Sequence, residues 1–310
     1  MIDKTYLVTG AAGFIGAAVA NKLIRLGKKV VTIDNLSTGY KENLPEGIVF
    51  IKGDCSDKNI IKELDDYKFD VIIHIAGQSS GEISFENPTY DLKTNALSTL
   101  MLLRFAIKNQ CKKFIYASTM SVYGANIDEQ VNEGSKLEPI SFYAVGKIAS
   151  EQYMNIYNTY GLTCTSLRLF NVYGPGQNMS NLRQGMVSIF LEQAMSKKIV
   201  VKGSLNRFRD FIYIDDVVNA FLESVKFNDQ NHRIMNIGTG IKTTVESLLK
   251  EISNNMLNEL IIEKSDPTPG DQFGIYADIS YAKKVMNWYP RVNLSDGIKK
   301  FYQYRIKHIS

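Results

Sequence analysis

Residue types that define several kinds of protein are scarce in this chain. Its 310 residues include only three cysteines, Cys55, Cys111 and Cys164, an odd number at wide spacing. That pattern excludes a disulfide framework and matches no zinc motif, so we expect no bound metal. Basic residues outnumber acidic ones by only 36 to 32, and the paired lysines are scattered. We expect no nucleic-acid partner, because such a surface needs a concentrated basic patch.

Long apolar runs are also missing. The longest, residues 100–107, is broken by Arg104, whereas a membrane-spanning helix needs about 20 consecutive apolar residues. Residues 1–4 lack the basic and apolar regions of a signal peptide. We therefore expect a cytoplasmic protein that has no membrane partner.

The first half of the chain alternates short β-branched runs with amphipathic segments of helical period. Among these, we predict helices at about 14–26 and 88–108 and a strand at 114–116. A nearly continuous apolar run such as 71–75 is typical of a strand that is buried on both faces of a parallel sheet. Such a sheet needs helices on each side, which predicts an α/β fold of the Rossmann-like, doubly wound kind.

After Phe170 the chain becomes richer in Gly, Asn and Ser, and the alternation of strands and helices changes. We predict one large domain from residues 1–170, to which a segment at about 211–240 returns. A smaller, interleaved C-terminal substrate lobe is predicted from 171–210 and 241–310. No linker or repeat separates the two parts of the sequence.

Three glycines, Gly10, Gly13 and Gly16, follow the first predicted strand and open a predicted helix. Glycine allows a tight turn in which the backbone approaches a pyrophosphate, and the helix N-terminus offers free N–H groups to the phosphates. The spacing G-x-x-G-x-x-G is one residue wider than the dinucleotide-binding fingerprint, so the glycines alone are a weak signal.

Asp34 strengthens this interpretation, because it ends the second predicted strand about 20 residues past the glycines. A carboxylate at that position accepts the hydroxyls of an adenosine ribose and repels a 2′-phosphate. No Arg occurs in the following loop, 35–40, so the sequence predicts NAD rather than NADP. Asp54 and Cys55, after the third predicted strand, are expected near the adenine, although Asp54 is equally typical of a residue that starts a turn.

Tyr143 and Lys147 are four residues apart in a predicted helix, which places the phenol and the ammonium on one face. The ammonium and a positive nicotinamide ring both favour the phenolate, whose pKa is ordinarily near 10. Bringing that pKa near neutrality takes about 4 kcal/mol. Tyr143 would then be a general base for a sugar hydroxyl. Ser118 and Thr119 end the preceding predicted strand, where α/β folds bind their ligands.

Taken together, the motifs resemble one family. They are GAAGFIG (10–16), DNLSTG (34–39), STMSVYG (118–124), YAVGK (143–147), LRLFNVYGPGQ (167–177) and RDFIYIDDV (209–217). This set is similar to the extended short-chain dehydrogenase/reductase family, and within it most like the NAD-dependent nucleotide-sugar epimerases and dehydratases, especially UDP-hexose 4-epimerases. The resemblance covers about residues 4–290.

The resemblance implies roles for individual positions. The implied catalytic residues are Thr119, Tyr143 and Lys147. The implied substrate-binding residues are Thr119, Tyr143, Asn171, Arg209 and Ile275. The implied NAD-binding residues are Gly10, Gly13, Phe14, Ile15, Gly16, Asp34, Asn35, Asp54, Cys55, Ile75, Ala76, Asn95, Ser118, Tyr143, Lys147 and Phe170.

The resemblance further implies a homodimer, joined through the helices near 95–108 and 143–160, and a place in polysaccharide biosynthesis. It gives no chemical role to His74, which lies in a predicted buried strand and is expected to be structural.

The chain departs from the family at two places. The dehydratases carry an acid pair after the catalytic Ser or Thr, but here that pair is Met120 and Ser121, so dehydration is not expected. An Arg that clamps the diphosphate is replaced by Thr268, which removes a charge-assisted contact of about 1.5–3 kcal/mol. Arg183 and Arg207 are the candidates to replace it.

Two enzymatic functions remain open at this point. The leading hypothesis is an NAD-dependent nucleotide-sugar 4-epimerase that acts through a transient 4-keto intermediate. The alternative is a nucleotide-sugar 4-dehydrogenase or 4-ketoreductase without epimerisation, and the nucleotide is UDP, GDP or dTDP in either case. A non-catalytic NAD-binding protein is disfavoured, because Tyr143 and Lys147 are both present.

Overall fold

The computed structural model describes residues 4–124, 129–181, 185–256, 260–266 and 273–308. Within these ranges the strands are β1 (Thr5–Thr9), β2 (Lys29–Asp34), β3 (Val49–Lys52), β4 (Val71–His74), β5 (Lys113–Thr119), β6 (Gln130–Val131), β7 (Thr163–Leu169), β8 (Asn171–Tyr173), β9 (Lys198–Lys202), β10 (Phe208–Arg209), β11 (Phe211–Tyr213), β12 (Arg233–Ile237), β13 (Thr243–Thr244), β14 (Ile261–Ser265) and β15 (Tyr276–Ala277).

Helices alternate with these strands, and among the described residues none has both the length and the apolarity that a membrane crossing needs. The α-helices are α1 (Phe14–Arg25), α2 (Lys58–Glu63), α3 (Gly81–Glu86), α4 (Pro88–Leu92), α5 (Ser98–Lys108), α6 (Phe142–Asn158), α7 (Met186–Met195), α8 (Ile214–Ser224), α9 (Val245–Met256), α10 (Ser280–Met286) and α11 (Leu294–Lys307).

Seven strands form one sheet in the order β12-β7-β5-β4-β1-β2-β3. From β3 to β5 every neighbouring pair is parallel. Every residue of β4 and β5 is buried, as expected for strands that are covered on both faces. The order is that of a dinucleotide-binding sheet, with its switch point between β1 and β4. The prediction of a Rossmann-like, doubly wound α/β fold is confirmed.

The segment that the sequence predicts as one helix over 88–108 is interrupted. A π-helical turn, Lys93–Leu97, separates α4 from α5. Side chains compete there for backbone carbonyls, because Ser98 Oγ donates to Thr94 O at 2.6 Å and Thr99 Oγ1 donates to Asn95 O at 2.7 Å. Such turns often occur at functional sites, and this one contains Asn95.

Strand β5 is longer than the apolar run 114–116 from which the sequence predicts it. Its first residue, Lys113, is buried because the ammonium donates to Val225 O at 2.6 Å and to Asn228 Oδ1 at 3.0 Å. Its last two residues, Ser118 and Thr119, are also buried. Tertiary hydrogen bonds therefore extend the strand over polar residues that hydrophobic patterning does not detect.

The chain divides into two compact units. The first consists of Met1–Val122, Pro139–Arg168 and Val218–Met235. Its core includes Leu7, Ile33, Ile72 and Phe114, none of which is measurably exposed.

The second unit consists of Tyr123–Glu138, Leu169–Val217 and Asn236–Ser310. It contains small two-stranded sheets, such as parallel β8 with β11 and antiparallel β10 with β13. The buried carboxylate of Asp216 accepts hydrogen bonds from Arg291 N at 2.9 Å and Val292 N at 3.0 Å. The carbonyl of Asp216 also accepts one from Trp288 Nε1 at 3.0 Å, so this residue anchors the loop before α11.

Candidate active site

The glycine turn between β1 and α1 belongs to the first unit, and two of its positions exclude any side chain. Gly10 has a φ of +68°, and a β-carbon on it would lie 2.7 Å from Ala76 N. A β-carbon on Gly16 would lie 2.0 Å from Gly10 O. Gly13 is the N-cap of α1 and brings no side chain to cap it. The first N–H groups of α1 are therefore available to an anion such as a pyrophosphate.

Asp34 is placed beside this turn. Its Oδ2 accepts a hydrogen bond from Ala12 N at 2.9 Å, and its Oδ1 accepts one from Leu36 N at 2.8 Å. Each carboxylate oxygen has a second lone pair, which suits the two hydroxyls of an adenosine ribose. The negative charge next to the phosphate turn fits NAD and disfavours a 2′-phosphate. The described residues therefore fit this cofactor.

Asn35, Asp54 and Cys55 lie near Asp34 and have local roles. Asn35 Nδ2 donates to Asp54 Oδ2 at 3.2 Å. Asp54 Oδ1 accepts from both the backbone N and the Oγ of Ser56, at 2.8 and 2.7 Å, so Asp54 does start a turn. Cys55 is buried, and burial raises the pKa of its thiol. The Cys55 side chain is therefore a packing group.

The segment after β4 closes the other side of the glycine turn. Ile75 N and Ala76 N both donate to Thr9 Oγ1, at 3.2 and 3.1 Å, and Ala76 also approaches Gly10 closely. Phe14 and Ile15 are half-buried in the first turn of α1. These four residues lie in or next to the turn. Phe170, the last of the implied NAD-binding residues, is buried in the second unit.

His74, the last residue of β4, has a structural role. It is fully buried, and its Nδ1 is 2.7 Å from Thr9 Oγ1 while its Nε2 is 3.1 Å from Thr99 Oγ1. Burial, and then the charge of Lys147, lower its pKa to about 3. The imidazole is therefore neutral and joins β1 to α5.

Thr119, Tyr143 and Lys147 are all buried in the first unit. Ser141 caps the N-terminus of α6 by accepting a hydrogen bond from Ala144 N at 3.2 Å, and this starts the helix just before Tyr143. Lys147 Nζ donates to Ala117 O at 2.9 Å and lies 5.7 Å from the centroid of the Tyr143 ring. Strand β5 and helix α6 thus bring the three predicted catalytic side chains together.

Burial is the largest influence on the pKa values of both Tyr143 and Lys147. Burial raises the pKa of Tyr143 to about 12; a hydrogen bond with Thr119 lowers it, and the charge of Asp91 raises it. Burial lowers the pKa of Lys147 to about 8, against the charges of Asp91 and Glu151. In the protein alone, burial therefore keeps the phenol of Tyr143 protonated at neutral pH. The positive nicotinamide is the further charge that the phenolate requires.

The hydroxyl of Ser118 binds a buried carboxylate of α6. Its Oγ donates to Glu151 Oε1 at 2.6 Å. Arg168 donates to both oxygens of the same carboxylate, at 3.0 and 2.8 Å. Sequence reasoning missed this buried group, although Glu151 lies one helical turn after Lys147 and Arg168 is in the LRLFNVYG motif.

Asn95 is buried in the π-helical turn. Its Nδ2 donates to Gln78 O at 3.0 Å and to Asp91 Oδ2 at 3.1 Å. Gln78 Nε2 donates to the same Asp91 oxygen at 2.9 Å. Sequence reasoning missed Gln78 and Asp91. The available signal was the spacing of four between Asp91 and Asn95, which places both side chains on one helix face.

In the second unit, Asn171 begins β8, and Arg209 ends β10, two residues before the start of β11, the partner strand of β8. Asn171 Nδ2 donates to Asp210 O at 3.2 Å. Arg209 Nη1 donates to Phe208 O at 2.7 Å and to Phe273 O at 3.2 Å. Burial, and then the charge of Arg207, lower the pKa of Arg209 to about 10. Arg209 therefore stays charged at neutral pH, as an anion-binding residue must.

The Asp210 carboxylate has local donors of its own. Oδ1 accepts from Thr239 N at 2.7 Å and Thr239 Oγ1 at 2.6 Å, and Oδ2 accepts from Gly240 N at 2.9 Å and Ala277 N at 3.1 Å. These bonds anchor β15. Ile275, just before β15, is buried at 1% exposure.

Thr268, which stands in place of the clamping Arg, and Arg183, one of its candidate replacements, lie outside the described residues. Arg207, the other candidate replacement, is buried, and its guanidinium donates to the backbone carbonyls of Ser204 and Lys202. These bonds hold Arg207 within its own turn.

The phosphate turn, Asp34 and the Tyr143–Lys147 pair on this sheet define an NAD-dependent enzyme of the extended short-chain dehydrogenase/reductase type. Residues 6–238 match the family described as "NAD dependent epimerase/dehydratase family". The chain therefore belongs to the NAD-dependent epimerase/dehydratase family, and the predictions of family, enzyme class and NAD as cofactor are confirmed.

Known proteins extend this similarity over the whole chain. A UDP-glucose 4-epimerase of Mycolicibacterium smegmatis is 34% identical over 306 residues, which cover 96% of this chain and 97% of that protein. A Thermotoga maritima UDP-glucose 4-epimerase, solved with UDP-glucose, is 35% identical with a TM-score of 0.95, covering 99% of this chain and 100% of that one.

A third relative is named for another sugar. A UDP-N-acetylglucosamine 4-epimerase of Methanobrevibacter ruminantium, solved with UDP-N-acetylmuramic acid, is 30% identical with a TM-score of 0.93, and all of each chain is covered. These comparisons favour the nucleotide-sugar 4-epimerase hypothesis over the dehydrogenase alternative.

Proposed function

We propose that this protein interconverts the C4 epimers of a UDP-activated sugar and retains NAD between turnovers. The observation that carries the proposal is the buried group of Thr119, Tyr143 and Lys147, held by β5 and α6 in the unit that contains the phosphate turn and Asp34. NAD, held by the phosphate turn and Asp34, would supply reversible hydride transfer at C4 of the sugar.

The chain's own residues would transfer the proton and hold the sugar in position. Tyr143 takes the proton of the C4 hydroxyl. It returns the proton to the same oxygen after the 4-keto sugar has rotated and been reduced on its opposite face. Thr119, whose hydroxyl acts to lower the pKa of Tyr143, contacts the same sugar oxygen. Lys147 binds the nicotinamide ribose and supplies positive charge that favours the phenolate.

The two compact units suggest that the cofactor and the substrate are bound mainly by different parts of the chain. We assign NAD to the first unit, which contains the phosphate turn, and the nucleotide sugar to the second. In the second unit Asn171 and the charged, buried Arg209 are suited to a diphosphate. The names of the relatives favour UDP over GDP or dTDP, and we assign the sugar-facing position to Ile275.

A homodimer is supported by an apolar surface on the first unit. Exposed apolar side chains recur along one face of α6 and on the neighbouring helices, and the rings of Phe85 and Phe142 make an edge-to-face contact at 5.7 Å. A second copy of the chain is the occupant that we propose, with light scattering as its test. The surface consists of Phe85, Leu97, Phe142, Val145, Ile156 and Tyr160.

A cytoplasmic location fits the three cysteines, which are all buried and free. A reducing compartment preserves free thiols. Synthesis of polysaccharide precursors remains the proposed context of the reaction.

The test follows the hydride. Purified protein is denatured to identify the released nucleotide, and the native protein is given UDP-, GDP- and dTDP-sugars while absorbance at 340 nm and the sugar product are measured. A C4-inverted UDP-sugar without net NADH is expected. A stable 4-keto sugar with NADH accumulating one-for-one, and turnover only with an added oxidant, would overturn the proposal in favour of the dehydrogenase.

A further inference from the structure

A buried carboxylate beside the active site has no role in the function proposed above. Asp91, in α4, is 1% exposed, and its Oδ2 accepts the hydrogen bonds from Gln78 and Asn95. Its other oxygen, Oδ1, has no hydrogen-bond partner among the described residues. A buried carboxylate oxygen without a partner is unfavourable for folding, so its presence needs a reason.

This oxygen faces the start of α6. A β-carbon on Gly146 would lie 3.4 Å from Asp91 Oδ1 and 3.3 Å from Asn95 Cβ. Glycine at 146 therefore lets the π-helical turn approach α6 closely. The next residue along α6 is Lys147, so the carboxylate approaches the helix at the turn that carries the ammonium.

A second glycine borders the same buried space. The position that a β-carbon would take on Gly77 is 2.5 Å from Asn95 Oδ1 and 3.5 Å from Lys147 Nζ. Asn95 Oδ1 is the other oxygen of this cluster without a hydrogen-bond partner in the described part of the chain. Lys147 has three N–H donors, and one of them binds Ala117 O. The ammonium is thus a donor-rich group that borders the same buried space as two acceptors without donors.

The other titratable groups that face Lys147 do not supply a free negative charge. His74 is neutral, since its pKa is lowered to about 3. Tyr116 presents its ring, whose centroid is 4.6 Å from Lys147 Nζ, and burial raises the pKa of its phenol. The phenol of Tyr143 is protonated in the protein alone, and Glu151 is paired with Arg168 at 2.8 Å. Asp91 completes this set of neighbours.

We propose that Asp91 is the counter-ion of Lys147, a positioning residue that keeps the ammonium charged and in place beside Tyr143. The electrostatics agree with the geometry. Burial raises the pKa of Asp91, and the charge of Lys147 acts to lower it; burial lowers the pKa of Lys147, and the charge of Asp91 acts to raise it. Burial opposes both charges, so each ion depends on the other. The catalytic consequence rests on the proposed function, in which Lys147 must be charged.

The charge of Asp91 determines in which direction the pH profile of kcat should shift when that charge is removed. Asp91 raises the pKa of both Lys147 and Tyr143. Removing its charge should therefore move both limbs of the pH profile of kcat to lower pH. The acid limb follows the base Tyr143, and the alkaline limb follows the loss of the proton from Lys147. A residue that only maintained packing would lower kcat without moving either limb.

The decisive variant is Asp91→Asn, whose amide oxygen can replace Oδ2 and whose amide nitrogen can occupy the place of Oδ1. The protonation of Lys147 is followed directly by the NMR shift of its ¹³Cε in protein labelled on lysine, with Lys147→Arg assigning the signal. A midpoint of about 8 is expected for the wild type. Loss of a nearby opposite charge should lower the midpoint by about one pH unit in the variant.

Two further variants separate charge from packing. Asp65→Asn removes a carboxylate from an exposed pair with Lys108 and should leave the Lys147 midpoint unchanged. Asp91→Glu keeps the charge and should keep the midpoint near the wild-type value even if kcat falls. Should Asp91→Asn fail to fold, Asp91→Ser is titrated in the same way.

The inference would be overturned if the Lys147 midpoint did not move in the folded Asp91→Asn or Asp91→Ser protein. It would also be overturned if Asp91→Glu lowered the midpoint as much as Asp91→Asn does. Failure of this inference can be told apart from failure of the proposed function. The NMR titration needs no substrate, so it can be measured even if the wild-type protein turns over no nucleotide sugar.

Discussion

Ser118 Oγ donates a 2.6 Å hydrogen bond to Glu151 Oε1, which ties the end of β5 to the middle of α6. The strand end carries Thr119 and the helix carries Tyr143 and Lys147. Because Arg168 binds the same carboxylate from β7, three elements meet at one buried anion. This group sets the distance between the hydroxyl and the phenol of the candidate active site.

Glu151→Gln should destabilise the protein more than Ser118→Ala does. The first change leaves the Arg168 guanidinium buried without its counter-ion, which costs about 3–5 kcal/mol of unfolding free energy. The second removes one hydrogen bond to a charged group, worth about 1.5–3 kcal/mol. Urea unfolding at pH 7.5 measures both. Glu223→Gln, in the exposed pair with Lys226, is the control and should change stability little; equal losses for all three variants would contradict the buried pair.

Tyr143→Phe should retain NAD and lose turnover by about 10²–10⁴-fold, the range for removal of a general base. The ring still packs in its buried site, so the melting temperature should stay close to that of the wild type. Tyr153→Phe, in the same helix, is the matched control. Steady-state rates with the best nucleotide sugar decide the matter, and wild-type turnover in Tyr143→Phe would remove this residue from the mechanism.

Asp34→Ala should weaken NAD binding and relax the discrimination against NADP. The substitution removes the ribose acceptor and the charge that repels a 2′-phosphate. Asp34→Asn keeps an acceptor for Ala12 N and tests the charge alone. Calorimetric titration of both cofactors into cofactor-free protein is the measurement. If the wild type already binds the two cofactors equally, the interpretation of Asp34 is wrong.

Ile275→Ser should improve turnover of an N-acetylated UDP-sugar relative to the plain hexose, because a smaller side chain leaves room at the C2 substituent. The ratio of the two kcat/KM values is the readout. Ile275 is buried, so the change also costs stability. Ile279→Ser, a substitution at a buried neighbour in the same unit, controls for that loss. The same ratio in wild type and Ile275→Ser would exclude Ile275 from the sugar site.

Stability should fall in acid because His74 is buried as the neutral imidazole. Its pKa is lowered from 6.5 to about 3, so the unfolded chain takes up a proton below pH 6.5 and the folded chain does not. The stability present above pH 6.5 is lost progressively towards pH 3, by about 2 kcal/mol between pH 7.5 and pH 5. His74→Asn should reduce the pH 7.5-to-5 loss by that amount in urea unfolding. His308→Asn, at an exposed position, should not reduce it.

Local patterns predicted the elements with clear periodicity. Helix α1 was expected from Phe14 to Leu26 and runs from Phe14 to Arg25, since its apolar face and its glycine turn are both encoded nearby. The break between α4 and α5 was missed. The break arises from side-chain hydrogen bonds to carbonyl oxygens and from the close approach of Asn95 to Gly146. The helical period of the sequence reveals neither of these interactions.

The sequence by itself determined the doubly wound sheet, the phosphate turn, the acidic residue to which we assign the selection of NAD and the Tyr143–Lys147 pair. Each depends on residues close in the chain, where spacing dictates geometry. Only the tertiary structure decided which buried charges surround that pair. Asp91, Glu151 and Arg168 lie on different elements, and burial strengthens every interaction among them. The pKa values of Tyr143 and Lys147 therefore depend on burial and on charges brought together by folding.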